Sequence, residues 1–152
     1  MEACRLIQDS RSALLRASSA ADLVAEARQV QALVEALGSH VAAAGPPALR
    51  VEAARLSEAG MQGCAPSCRP GRAGGGFRAV RLTRVADLHT ALGHLSVLLG
   101  ETVAALVRAS ASAEQPGAYW QGIEAIDAAD ESADRVAAVL RCLALPERGP
   151  AA

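Results

Sequence analysis

The chain has 152 residues, enough for one domain with a real core. It is 51% hydrophobic but only 2% aromatic, and its formal charge is -1. A charge this close to zero gives no global field to attract nucleic acid or an anionic membrane, and so few aromatic residues leave little on which bases could stack.

The apolar content is mostly Ala, Leu and Val, while the β-branched and aromatic residues that favour strands are scarce apart from Val. Ala and Leu are the strongest helix formers, so the composition predicts an all-α protein. Every basic residue is Arg, and Lys and Asn are absent, as in chains encoded by a GC-rich genome.

The first predicted helix runs from Glu2 to about Ala17, with Leu6, Ile7, Leu14 and Leu15 inward. Ser19 and Asp22 in "SSAAD" then form a helix-capping signal, although weak breakers at Ser18 and Ser19 leave room for one bent helix. In the second helix Leu23, Ala27, Val30, Val34, Leu37 and Val41 alternate steps of four and three, which places them on one seam. Gly45 is a natural stop, and Pro46 and Pro47 open the third helix, which carries Leu49, Ala53 and Leu56 and ends near Gly60 or Gly63.

A Pro- and Gly-rich stretch, "CAPSCRPGRAGG", predicts a flexible loop at about 64–76. The fourth helix is expected from near Phe77 to Ser110, on the order of 50 Å at ~1.5 Å per residue, with Val85, Leu88, Leu92, Leu95, Leu99 and Leu106 inward. Ala86, Gly93 and Gly100 recur every seventh position there, a small-residue row that lets a neighbouring backbone approach closely. The fifth helix runs from about Ala118 to Leu143, with Tyr119, Ile126, Ala133, Val136 and Leu140 inward. Short connections between amphipathic helices predict an up-and-down bundle of four to five helices. Residues 1–145 make one helical-bundle domain, and 146–152 a disordered tail.

The N-terminal "MEACRLIQDSRSALL" carries Glu2 early and lacks the apolar core of a secretory signal. The most apolar run, Leu92 to Val107, contains His94 and Glu101 and is short for a span of ~20 residues. A cytoplasmic, soluble protein is expected. Its cysteines, Cys4, Cys64, Cys68 and Cys142, are expected as free thiols, because "CAPSC" has three residues between its thiols and a Pro inside.

The most charged stretch is "YWQGIEAIDAADESADRV", from Tyr119 to Val136. At ~100° per residue Glu124, Asp127, Glu131 and Asp134 share one helix face, with Trp120 over it. Acidic residues suit the N-terminal half of a helix, and Glu131 and Arg135 form a favourable i,i+4 pair. Asp127–Glu131 and Asp130–Asp134 are like-charged pairs that each cost ~0.2–0.5 kcal/mol. The stripe therefore points to a positive partner. Arg69, Arg72, Arg78, Arg81 and Arg84 cluster before and at the start of the expected fourth helix, where cations oppose the dipole, so they ask for an anion. The two clusters are expected to meet within one chain or across a dimer. The "GRAGGGFR" stretch is not a phosphate loop, since it lacks the Lys-Ser/Thr ending and follows no strand.

His40, His89 and His94 suggest metal chemistry of the kind seen in helical bundles of the damage-inducible thiol-transferase type. There the paired ligands lie four apart; here His89 and His94 lie five apart, ~140° around a helix. "RVADLH", from Arg84 to His89, resembles the Arg-x4-His spacing of helical-bundle ribonucleases of the higher-eukaryote-and-prokaryote nucleotide-binding class, but Val85 stands where a polar residue is usual. No Glu-x-x-His pair of the di-iron type is present.

Three stretches, "LVAEARQVQALVEALGSHVA", "PPALRVEAARLSEAG" and "YWQGIEAIDAADESADRV", resemble a family of small, Ala-rich actinobacterial proteins of unknown function. The resemblance covers most of the chain and implies no activity, cofactor or site residue. The expectation is a non-enzymatic interaction protein that binds a protein partner or forms a homodimer, with no metal or cofactor. Its candidate surface is Tyr119, Trp120, Glu124, Asp127, Glu131 and Asp134, and secondly Arg78, Arg81 and Arg84. The alternative is a metal-dependent or RNA-directed hydrolase or transferase built on Arg84 and His89 or on the three histidines.

Overall fold

The structure, a computed structural model, describes residues 1–64 and 76–145. Within them lie five α-helices and no strand: α1 (Ala3–Arg16), α2 (Ala20–Ala44), α3 (Arg50–Cys64), α4 (Leu88–Ala111) and α5 (Pro116–Ala144). The residues of the expected loop from 65 to 75 and of the expected tail, 146–152, lie outside the described residues, as do Cys68, Arg69 and Arg72.

α1 starts where the Glu2 carboxylate accepts from the Cys4 N–H at 2.9 Å. Leu6, Ile7 and Leu14 are buried, but Leu15, expected inward, is 74% exposed. Adjacent residues stand ~100° apart on a helix, so a narrow seam takes only one of the two leucines. Ala17 is extended, and the Ser19 hydroxyl accepts from the Asp22 N–H at 3.0 Å, so α1 and α2 are separate helices. The α2 seam is buried at Ala27, Val30, Val34, Leu37 and Val41, and Gly45 caps it with its N–H on the Val41 carbonyl at 2.8 Å.

A 3₁₀ turn, Pro47–Leu49, leads into α3. Leu49 therefore precedes the helix, though it is buried as expected. α3 passes Gly60 and ends at Cys64, one residue beyond Gly63 and so near the second of the two expected stops. It packs closely on α2: a Cβ on Gly38 would sit 2.5 Å from the Ser57 nitrogen and 2.9 Å from the Ala53 carbonyl oxygen, and one on Gly60 would strike the Glu35 backbone. Gly38 and Gly60 serve close helix approach.

The segment before α4 is the largest departure from expectation. Residues 78–81 form a single 3₁₀ turn, and the next residues run extended beside the N-terminus. The Ala3 N–H donates to the Arg84 carbonyl at 2.9 Å and the Thr83 N–H to the Met1 carbonyl at 3.1 Å. Those backbone groups are spent on a distant strand-like contact, so no helix passes through them. α4 begins only where the Asp87 carboxylate accepts from the Thr90 N–H at 3.1 Å. Its 24 residues give ~36 Å rather than ~50 Å. Val85 and Ala86 lie outside it.

α4 buries Leu92, Leu95, Leu98, Leu99 and Leu106. α5, with Pro116 at its first position, buries Ala129, Ser132, Val136 and Val139. Ile126, Ala133 and Leu140 are half-buried, but Tyr119, expected inward, is exposed. α2 packs along α3 and α4 along α5, while α5 also touches α2 and α3 and α1 covers α2 and α4. The core where they meet is aliphatic, with Leu33, Leu37, Leu92, Leu95, Leu99 and Val136 fully enclosed.

Candidate functional site

The acidic residues of α5 form a wet ridge. Glu124, Asp127, Asp130, Glu131 and Asp134 are all exposed. Trp120 is 61% and Tyr119 42% exposed, their rings edge-to-face at 5.4 Å. Glu131 accepts from the Arg135 Nε at 2.8 Å, the i,i+4 pair read from the sequence. Among the described residues the other four carboxylates have no ion pair.

The arginines take a different place from the one expected. They precede α4 by several residues, so the helix dipole does not act on them. Arg78 turns to α2: its guanidinium binds the Glu26 carboxylate at 2.5 Å and its N–H donates to the Gln29 side chain at 3.0 Å. Both partners of that ion pair are largely buried, which makes Arg78 a latch between this segment and α2. Arg81 and Arg84 are exposed, and their carbonyls accept from the Met1 amine and the Ala3 N–H. Among the described residues no ion pair joins Arg78, Arg81 or Arg84 to Glu124, Asp127, Glu131 or Asp134.

The three histidines do not assemble. His89 and His94 are exposed on α4, and His40 lines a small crevice with Val85 and Leu88. Among the described residues no group of three or more His, Cys, Asp or Glu side chains is arranged to hold a metal. Cys4 and Cys142 carry free thiols, and burial followed by the charges of Glu2 and Asp87 pushes the Cys4 thiol up, away from the reactive thiolate.

The outward face of α4 is the feature that sequence reasoning misplaced. Gly93, Val97, Gly100, Ala104, Val107 and Ala111 alternate steps of four and three along it and include no charge. Val97 is 55% and Val107 50% exposed. A Cβ on Gly93 or Gly100 would meet nothing within 4 Å, so these two glycines have no close neighbour among the described residues. The row was legible as a spacing; which side of the helix it faced was not, because α4 is apolar nearly all round. By length and composition α4 is the one described helix long and apolar enough to cross a membrane, and 44% of that window is buried inside the bundle. Beside the face runs an open groove of about 870 Å³ between the end of α1 and the second half of α4, with Leu15, Ala104, Ala105, Arg108 and Ala109 among its walls. Glu101 stands at its edge, held by the Arg11 guanidinium through Nε at 2.8 Å and Nη2 at 2.6 Å.

The profile of a family of unknown function, DUF6099, matches residues 1–142. The chain belongs to this family. The match takes in α1 to α4 and nearly all of α5. No curated protein and no solved structure matches the chain. Membership in DUF6099 brings no activity with it, and a functional reading rests on the geometry above.

Proposed function

We propose that this DUF6099 chain is an interaction module that pairs with a second copy of itself through the outer face of α4. The observation that carries the reading is the uncharged Gly93-to-Ala111 seam left outside the bundle. Its 4/3 repeat is the spacing by which one helix packs on another, and its two glycines allow close approach. A contiguous apolar face of this kind, flanked by polar residues, is the usual mark of a covered surface.

A second copy suits it better than the α5 ridge does. A two-fold contact brings like residues together, so the five carboxylates of the ridge would repel their own image. On α4, Glu101 and Arg108 lie on the same flank at ~100° per residue. Antiparallel pairing centred near Ala104 sets Arg108 of each copy toward Glu101 of the other, whose carboxylate already accepts from Arg11 and has lone pairs left to share with a second guanidinium.

Light scattering behind size exclusion tests this over a micromolar concentration series. The expected mass is twice the 15.5 kDa of the chain. Val97→Glu puts one carboxylate per copy, two in the dimer, into the proposed seam but buries no charge within the monomer, since Val97 is exposed, and is expected to give a monomer with unchanged helical circular dichroism. A chain that stays monomeric throughout, or a dimer indifferent to Val97→Glu, would remove the proposal.

A further inference from the structure

Between α2, α3 and α5, away from α4, lies a cleft of about 210 Å³. Arg28 and Gln31 of α2, Gln62 and Gly63 of α3, and Gln121 and Glu124 of α5 give it a polar lining over small apolar residues. Gln31 is the unusual member. It is 2% exposed, in the middle of an aliphatic helix. Its Oε1 accepts from the buried Ser132 hydroxyl at 2.7 Å, while its Nε2 has no hydrogen-bond partner among the described residues. That nitrogen is not an enclosed orphan, since among the described residues only the Arg78 Nε is buried without a partner; it opens to the cleft, where its two donors are free for an acceptor. Gly63 leaves the room that this side chain occupies, since a Cβ there would sit 2.6 Å from the Gln31 Cδ.

The second observation is charge. Arg28 and Glu124 both line the cleft, and among the described residues neither takes part in an ion pair. Opposite charges thus face one small space without touching each other. A ligand with a single charge would answer only one of them.

We propose that this cleft binds a small zwitterion, of the class of a free α-amino acid. Its carboxylate goes to Arg28 and the Gln31 amide, and its ammonium group to Glu124. The volume holds about seven waters at ~30 Å³ each, the right scale for such a molecule. Charge-assisted hydrogen bonds at both ends supply the affinity, and the shape of the remaining apolar wall selects the side chain.

The test is calorimetric titration and thermal-shift measurement of the full chain with each of the twenty amino acids at millimolar concentration. At least one is expected to bind saturably at one site and to raise the melting midpoint. Glu124→Gln and Arg28→Gln, whose side chains are not buried, are each expected to weaken that binding about tenfold or more while leaving the circular dichroism unchanged. The proposal is overturned if none of the twenty binds, if both substitutions leave the affinity unchanged, or if the matching carboxylic acid without its amine binds as well. Because the cleft does not involve α4, a chain that proves monomeric leaves this test intact, and a dimer without amino-acid binding leaves the α4 reading intact.

Discussion

Two pairs of glycines in this bundle look alike in the sequence and do opposite things. Gly38 on α2 and Gly60 on α3 are buried where two helix backbones touch. Gly93 and Gly100 on α4 sit on its outer side with open space beyond them. In the first pair the missing side chain is a requirement of the folded chain. In the second it serves no contact among the described residues, although each glycine in a helix costs ~1 kcal/mol relative to alanine. A cost without an internal return is the reason to look outside the chain for the neighbour.

Substitution sharpens that contrast, with the largest effect at the buried pair. In Gly38→Ala the new methyl meets the Ser57 and Ala53 backbone, which has no rotamer by which to move aside. The overpacking penalty of ~1–3 kcal/mol outweighs the propensity gain, and the α2–α3 seam has to open. Urea unfolding is expected to show a clear fall in midpoint. An equal or raised midpoint would mean that the two helices are not in backbone contact.

The outer pair gives a smaller effect of the opposite sign. Gly100→Ala, measured in the Val97→Glu background so that association does not contribute, is expected to stabilise the chain by ~0.5–1 kcal/mol. In the otherwise unchanged chain the same methyl fills the space that close pairing needs, so the dimer is expected to weaken while the monomer gains. Loss of stability in the monomeric background would place a neighbour against Gly100 that the structure lacks.

The contrast also shows what was legible in the sequence. The α2 seam, the Ser19 cap, the Gly45 stop and the Glu131–Arg135 pair all follow from residues within a few positions of one another, and all are found. The start of α4 was not legible. Ala79, Val80 and Leu82 suit a helix well enough, and what draws their segment out of one is the pairing of Arg81, Thr83 and Arg84 with Met1 and Ala3, some eighty residues away in the chain. Burial was the other blind spot. Leu15 and Tyr119 have inward-type side chains on outward positions, and only packing decides that. Gln31 was passed over because it stands beside Val30 in a strong aliphatic seam. A polar residue flanked by buried ones was the available signal, and it leads to a cleft wall whose Gln31 amide N–H groups face open space.

The least expected effect lies at the junction where the extended segment becomes α4. Asp87 caps that helix, and hydrogen bonds from the Thr90 hydroxyl and N–H, at 2.7 Å and 3.1 Å, hold its carboxyl below the ordinary carboxylate range, with His89 adding a minor attraction. A folded-state value below the unfolded one means that ionised Asp87 favours folding. That contribution is complete above the unfolded carboxyl value of ~3.9 and fades as pH falls through the lower, folded value. Asp87→Asn keeps a good cap but removes the charge. The two proteins are therefore expected to differ slightly in melting midpoint near neutral pH, with the parent higher, and to converge as the solution is acidified below about pH 4. Because Asp87 is fully open to solvent, salt is expected to shrink the neutral-pH gap only in its dipole and His89 parts, leaving the Thr90 hydrogen bonds. A gap that stays constant across the acid range would show that the cap works through geometry alone, with no help from the charge.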